Sequence, residues 1–261
     1  MTNKKPNAEQ MASPAYRLAA IDQDFLLDDR QRGMRFMMEY EKAEQTLRKW
    51  GVKSTIVVFG SARTIENGDG EHTRWYDAAR RFAKIASERG GALDWDHKGR
   101  RDNVIATGGG GGIMEAANRG AADAGAPSIG FNIRLPFEQE PNQYSTPELT
   151  FQFHYFGMRK MHFAMRASAL VVFPGGFGTF DELFELLTLV QTKKSPRLPI
   201  VLYDKDYWSE VVNFQHIADH GMISPEDLDL FHFASTPEEA WSQLVDAGLE
   251  AADLAGRGAV I

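Results

Sequence analysis

At 261 residues the chain can bury a sizeable core, and its 43% apolar and 25% charged residues are ordinary for a globular protein. A formal net charge of −7 argues against a nucleic-acid coat or a membrane-surface role. With no cysteine, disulfides, thiol catalysis and cysteine-bound metals are excluded. No run approaches the roughly 20 apolar residues of a membrane span. Residues 1–10 are polar, without the apolar core of a signal peptide, so a cytoplasmic protein is expected.

In chain order, residues 1–33 read as a polar, partly ordered arm. Its acidic cluster, Asp22, Asp24, Asp28 and Asp29, reads as a solvated face rather than a metal site. One domain is expected over 34–254, with a frayed tail at 255–261. Met34, Met37, Met38, Ala43 and Leu47 mark one face of a helix over 34–50. A β-branched strand at 55–59 runs into Gly60-Ser61-Ala62-Arg63. A helix over 75–89 ends at Gly90-Gly91, and 93–103 reads as a surface loop. A short strand at 104–106 meets five glycines, 108–112, followed by a helix over 113–124 and a strand at 128–133. Residues 135–147 are irregular, 149–153 are extended, and 156–167 are helical. A strand at 169–173 leads through a second glycine-rich turn into a helix over 183–190. Then come a strand at 199–203, a helix over 207–220, a capped start at Ser224-Pro225, a strand at 231–234 and a last helix opened by Thr236-Pro237. Strands alternating with helices predict an α/β fold: a Rossmann-like, doubly wound parallel sheet with helices on both faces. Three glycine-bearing turns would then meet at the carboxyl ends of the strands, where such sheets bind ligands.

The chemistry centres on Pro174-Gly175-Gly176-Phe177-Gly178-Thr179-Phe180-Asp181-Glu182. A glycine-rich turn before a helix start offers N–H groups and a favourable dipole to an anion, most often a phosphate. Thr179 and Glu182 also fit a capping box, and Asp181 fits the first-turn dipole, with no catalysis required. The run 108–112 lacks the Lys-Ser or Lys-Thr of a P-loop, and the strand at 128–133 leads to Arg134 instead of the acid expected for NAD. Arg159-Lys160, on an apolar segment, call for an anionic partner or a structural ion pair. His154 and His162 read as satisfied, partly buried histidines and not as catalysts. No cluster has metal-ligand spacing, and no nucleophile elbow is present.

The nine-residue motif resembles the P-G-G-x-G-T-x-x-E signature of the LOG family of cytokinin riboside 5′-monophosphate phosphoribohydrolases, often labelled "lysine decarboxylases". Arg159-Lys160 resembles the second half of its M-H-x-R-K element, with Phe156-Gly157 where the family has Met-His. Residues 108–114 resemble its G-G-G-x-x-G-x-M turn, and Phe59-Gly60-Ser61-Ala62 its first-strand turn. The similarity spans 56–203 and extends to the longer bacterial members described as AMP nucleosidases. It implies hydrolysis of a nucleoside 5′-monophosphate, with Glu182 and Arg159 catalytic. Gly60, Ser61, Gly109, Gly110, Lys160, Gly175, Gly176, Gly178 and Thr179 would bind substrate. No metal or organic cofactor is implied, and a homodimer or higher homo-oligomer is, with the apolar helix around 156–163 contributing. A pyridoxal-dependent decarboxylase would need a Schiff-base lysine, for which no lysine has a convincing setting. A non-catalytic nucleotide-binding or sensing protein built on the same turns is the alternative reading.

Overall fold

The computed structural model describes residues 5–68, 70–93, 99–136 and 140–251. The expected tail at 255–261 lies outside them. The chain divides into two compact units, Met1–Lys42 and Ala43–Ile261.

The first unit holds α1 (Ala8–Ala12), α2 (Gln23–Leu27) and the start of α3 (Arg32–Lys49). Its aspartates serve local ends. Asp22 caps α2, accepting from the Phe25 N–H, and Asp28 binds Arg30.

The second unit is built on seven strands: β1 (Thr55–Phe59), β2 (Val104–Thr107), β3 (Ser128–Ile133), β4 (Thr150–Phe153), β5 (Ala167–Val172), β6 (Ile200–Tyr203) and β7 (His232–Ala234). All pairs are parallel, in the order β4-β3-β2-β1-β5-β6-β7. The central strands are apolar runs because both faces are covered. In β1, Val57 and Phe59 join one core cluster while Ile56 and Val58 join the other. One face carries α4 (Glu71–Arg89), α5 (Ile113–Asp123) and α10 (Pro237–Asp246). Buried residues of α6 (Phe156–Arg166), α7 (Phe177–Gln191), α8 (Lys205–Val211) and α9 (Phe214–Asp219) join the opposite cluster. This is the doubly wound sheet expected from the alternation of elements.

The order places the site. From β1 the chain winds outward through β2, β3 and β4, then returns to the other side of β1 as β5. The switch point therefore lies between the carboxyl ends of β1 and β5, where a crevice is left uncovered.

Several expectations need correction. The helix over 207–220 is two, α8 and α9, because Asn213 accepts a hydrogen bond from the His216 N–H and caps a new start. The capped start at Ser224 opens a 3₁₀ turn over Pro225–Leu230. Part of the loop expected at the surface over 93–103 is not exposed. Arg101 is buried and donates to the Ala92 carbonyl, and Asn103 is buried at φ +56°.

The largest correction concerns α7. It begins at Phe177 with Gly176 at the N-cap and no side-chain cap. Thr179 and Glu182 are therefore not a capping box, and Asp181 is not in the first turn. The buried residues of α7 are Thr179, Glu182, Leu183, Leu186 and Val190, which is a single helical stripe facing the core. Glu182 occupies a position on that stripe where an apolar side chain would ordinarily sit.

Candidate active site

A cavity of about 650 Å³ opens at the switch point. One wall is the β1 turn, Gly60 to Arg63. The other is the start of α7 from Gly176 to Glu182, with Phe156 and Arg159 from α6 and Met114 from α5.

Ser61 stitches the turns together. Its N–H donates to the Pro174 carbonyl at 3.0 Å, and its own carbonyl accepts from the Ile113 N–H at 3.0 Å. Gly112 sits against that carbonyl at φ +68°, and a Cβ there would collide with Ser61 and Ala62 backbone. Only glycine fits such a close approach in a left-handed conformation.

The turn at 175–178 behaves differently. A Cβ on Gly175 would strike the Thr179 side chain, but one on Gly176 or Gly178 would meet nothing within 4 Å. Neither of the latter two has a positive φ. The protein's own packing therefore gives no reason for glycine at these two positions, and the space beside them belongs to the cavity. The N–H groups of Phe177, Gly178 and Thr179 precede the first intrahelical bond, from the Phe180 N–H to the Gly176 carbonyl. They have no hydrogen-bond partner among the described residues. Unpaired donors at a helix N-terminus suit an anion.

Glu182 faces this space at 7% exposure. Its side chain makes no hydrogen bond and no ion pair within 4.0 Å among the described residues. Burial pushes its carboxyl up to about 7, against the opposing pull of Arg159 and Lys160. A carboxylic acid poised near neutrality in a cleft is suited to take or give a proton.

Arg159 is held for the same space. Its Nε donates to the Phe131 carbonyl at 2.8 Å, and its guanidinium lies 5.3 Å from the Phe163 ring centroid. A Cβ at Gly108 would strike its Nη2. The first glycine of the five-glycine run thus makes room for the guanidinium. Burial lowers the Arg159 pKa, with Glu182 and Asp181 opposing.

Of the residues expected at the site, the structure brings Gly60, Ser61, Arg159, Gly176, Gly178, Thr179 and Glu182 to the cavity wall. Gly109, Gly110, Lys160 and Gly175 are not on that wall. Gly109 and Gly110 give their carbonyls to Asn142, at 2.8 and 3.0 Å. Gly109 also donates its N–H to Thr107 Oγ1, itself bonded to Asn118. Lys160 Nζ pairs with Asp181 at 2.8 Å and Glu185 at 3.1 Å, and its pKa is raised because these carboxylates outweigh burial. The Arg159-Lys160 pair therefore divides, with the cation at 159 toward the cavity and the one at 160 toward α7.

Arg63, Met114, Phe156, Phe177 and Phe180 also line the cavity and were not singled out by the sequence. The Arg63 guanidinium has no ion pair within 4.0 Å among the described residues. Its place directly after Gly60-Ser61-Ala62 was the available signal. Phe177 is 97% exposed at the first position of α7. Phe156, Met161 and Met165 are exposed on α6, the segment from which self-association is expected.

Residues 114–244, half of the chain, match the family model described as "Possible lysine decarboxylase". The chain belongs to this family. Its relatives include the probable cytokinin riboside 5′-monophosphate phosphoribohydrolase LOGL3 of Oryza sativa subsp. japonica. That protein is 27% identical over 201 residues, covering 74% of this chain and 83% of its own. The corresponding enzyme LOG3 of Arabidopsis thaliana is 26% identical over 167 residues, 62% of this chain and 76% of its own. That of Rhodococcoides fascians is 29% identical over 117 residues, 44% of this chain and 58% of its own. The X-ray structure of TM1055 matches with a TM-score of 0.50 at 19% identity, over 74% of this chain and 99% of that one, and shows a shared fold. No helix among the described residues is long and apolar enough to cross a membrane.

Proposed function

We propose that this protein hydrolyses the N-glycosidic bond of a nucleoside 5′-monophosphate, AMP or an N6-substituted AMP, to free base and ribose 5-phosphate. The observation that carries this reading is Glu182: a buried carboxyl with no partner among the described residues, raised to about 7, on the wall of a cavity that also holds N–H donors unpaired among those residues. In this reading the 5′-phosphate binds the N–H groups from Gly176 to Thr179. Glu182 then lies beside the ribose. As the C1′–N bond breaks, its electrons leave with the base and positive charge develops on the sugar ring. The Glu182 carboxylate stabilises that charge and accepts a proton from the water whose oxygen bonds to C1′, and the departing base takes up a proton from solvent to leave neutral. Arg159 orients the substrate at the same wall. The names of the relatives, phosphoribohydrolases of nucleoside monophosphates, support the reaction class.

The decarboxylase wording of the family does not fit these residues. Among the described residues no lysine lines the cavity, and Lys160, the neighbour of Arg159, is engaged by two carboxylates. A pyridoxal Schiff base would have no amine at this site. A nucleotide substrate and a chain without cysteine fit a cytoplasmic enzyme.

The test is chromatographic detection of free base after incubation with AMP, GMP, CMP and N6-substituted AMP. Base release is expected from the adenine nucleotides, with a loss of about 10³-fold in Glu182→Ala and an unchanged melting temperature or a higher one. Full turnover by that variant overturns the assignment. Nucleotide binding without base release by the unaltered protein would favour a sensing or binding role.

A further inference from the structure

Tyr207 stands outside the cavity but holds the backbone of the turn that forms its wall. Its hydroxyl donates to the Gly175 carbonyl at 2.7 Å. The carbonyl of one residue and the N–H of the next lie in one trans peptide plane and point in opposite directions. Holding the Gly175 carbonyl toward α8 therefore aims the Gly176 N–H away from α8. Gly176 lines the cavity and Tyr207 does not. The Gly176 N–H has no hydrogen-bond partner among the described residues. A peptide between two glycines has no side chain to fix its plane, so this hydrogen bond selects which way the donor faces.

Tyr207 is itself fixed by several contacts. Its N–H donates to Asp204 Oδ1 at 3.3 Å, and its ring meets those of Trp75 and Trp208 edge-on, at 5.7 and 5.4 Å. Asp204 lies in the left-handed region at φ +75°, a strained place for a residue other than glycine. It is held there by hydrogen bonds to its Oδ2, from Trp75 Nε1 at 2.7 Å and from Arg74 at 2.6 Å. A chain of contacts thus runs from the start of α4 through Asp204 and Tyr207 to one peptide of the turn.

We propose that Tyr207 is a positioning residue that orients the Gly176 N–H toward the phosphate group of the substrate and so sets affinity for phosphorylated ligands. The proposal rests on the functional reading above for the identity of the anion, but it does not require turnover. Ribose 5-phosphate binding is measured by calorimetry for the unaltered protein, Tyr207→Phe and Tyr203→Phe. The last variant also loses a hydroxyl-to-carbonyl bond, 3.1 Å to Ser235, away from the turn. Tyr207→Phe is expected to weaken ribose 5-phosphate about fivefold to tenfold. It should raise KM for AMP by the same factor with kcat changed less than about twofold. Tyr203→Phe keeps full affinity. In the unaltered protein, inorganic phosphate shifts the Gly176 amide resonance, a readout that needs no variant. Equal affinities in Tyr207→Phe and the unaltered protein, an unmoved Gly176 resonance, or no phosphate binding at all would overturn the proposal. Binding of ribose 5-phosphate without base release would break the hydrolase reading and leave the Tyr207 comparison intact.

Discussion

The turns at 108–112 and 175–178 both carry the chain from the carboxyl end of a parallel strand into a helix, and both are rich in glycine. The first is largely filled by its own protein, although Gly111 has room for a Cβ, its nearest neighbour being the Ala62 carbonyl at 3.8 Å. Gly108 gives its space to Arg159, Gly109 lies against Asn132, and Gly112 lies against Ser61. Its carbonyls at Gly109 and Gly110 are taken by Asn142. In the second, Gly175 alone is pressed, by Thr179, while Gly176 and Gly178 face open space. A glycine explained by its neighbours is part of the scaffold. A glycine that its neighbours do not explain leaves room for something that is not protein. The longer glycine run is therefore the less informative of the two.

Substitution should separate the turns by stability and by activity. The largest effect is expected at Gly112→Ala, which combines a positive φ with a backbone collision. It should lower stability by about 3 kcal/mol, read as a fall in the chemical-denaturation midpoint. An unshifted midpoint would mean that the first turn is not packed shut.

A pH profile tests whether the second turn serves a carboxylate. The folded protein holds the Glu182 proton more tightly than the unfolded chain does. Reaction needs the ionised form, so kcat/KM should fall by up to about tenfold per pH unit below 7 and level off above it. The 5′-phosphate itself titrates near 6, so its inflection is distinct. The same group gives stability that is greatest in acid and declines as pH rises from the ordinary carboxylate range to about 7. Glu182→Gln should remove that decline. A rate that stays flat from pH 8 to 6 would sink the proton-transfer role.

The smallest effect is the sharpest comparison. Gly178→Ala adds a methyl group where, beyond its chain neighbours and its own helix backbone, no described protein atom lies within 4 Å, inside the first turn of a helix. Alanine is the better helix former, so stability should rise by about 0.5 kcal/mol. The same methyl group intrudes on the ligand, so KM for AMP should rise several-fold. A variant that gains stability and loses nothing in KM would show that the open face is not used.

The sequence by itself determined the alternation of strands and helices, because the buried strands are short apolar runs and the helices carry their own caps and glycine stops. It also determined which strand ends carry glycine. Thr236 caps α10 as its spacing predicts, accepting from the Glu239 N–H at 3.1 Å. Such features are local, so neighbouring residues suffice to read them. The role of Glu182 was not local. Its spacing from Thr179 fits a capping box as well as it fits a site. What separates the two readings is the register of α7, fixed when Leu183, Leu186 and Val190 bury against the sheet and carry Glu182 inward with them. The division of Arg159 from Lys160 was decided in the same way, by a carbonyl on β3 and two carboxylates on α7. Where a charged side chain ends up depends on partners far along the chain, and only tertiary packing brings those partners within reach.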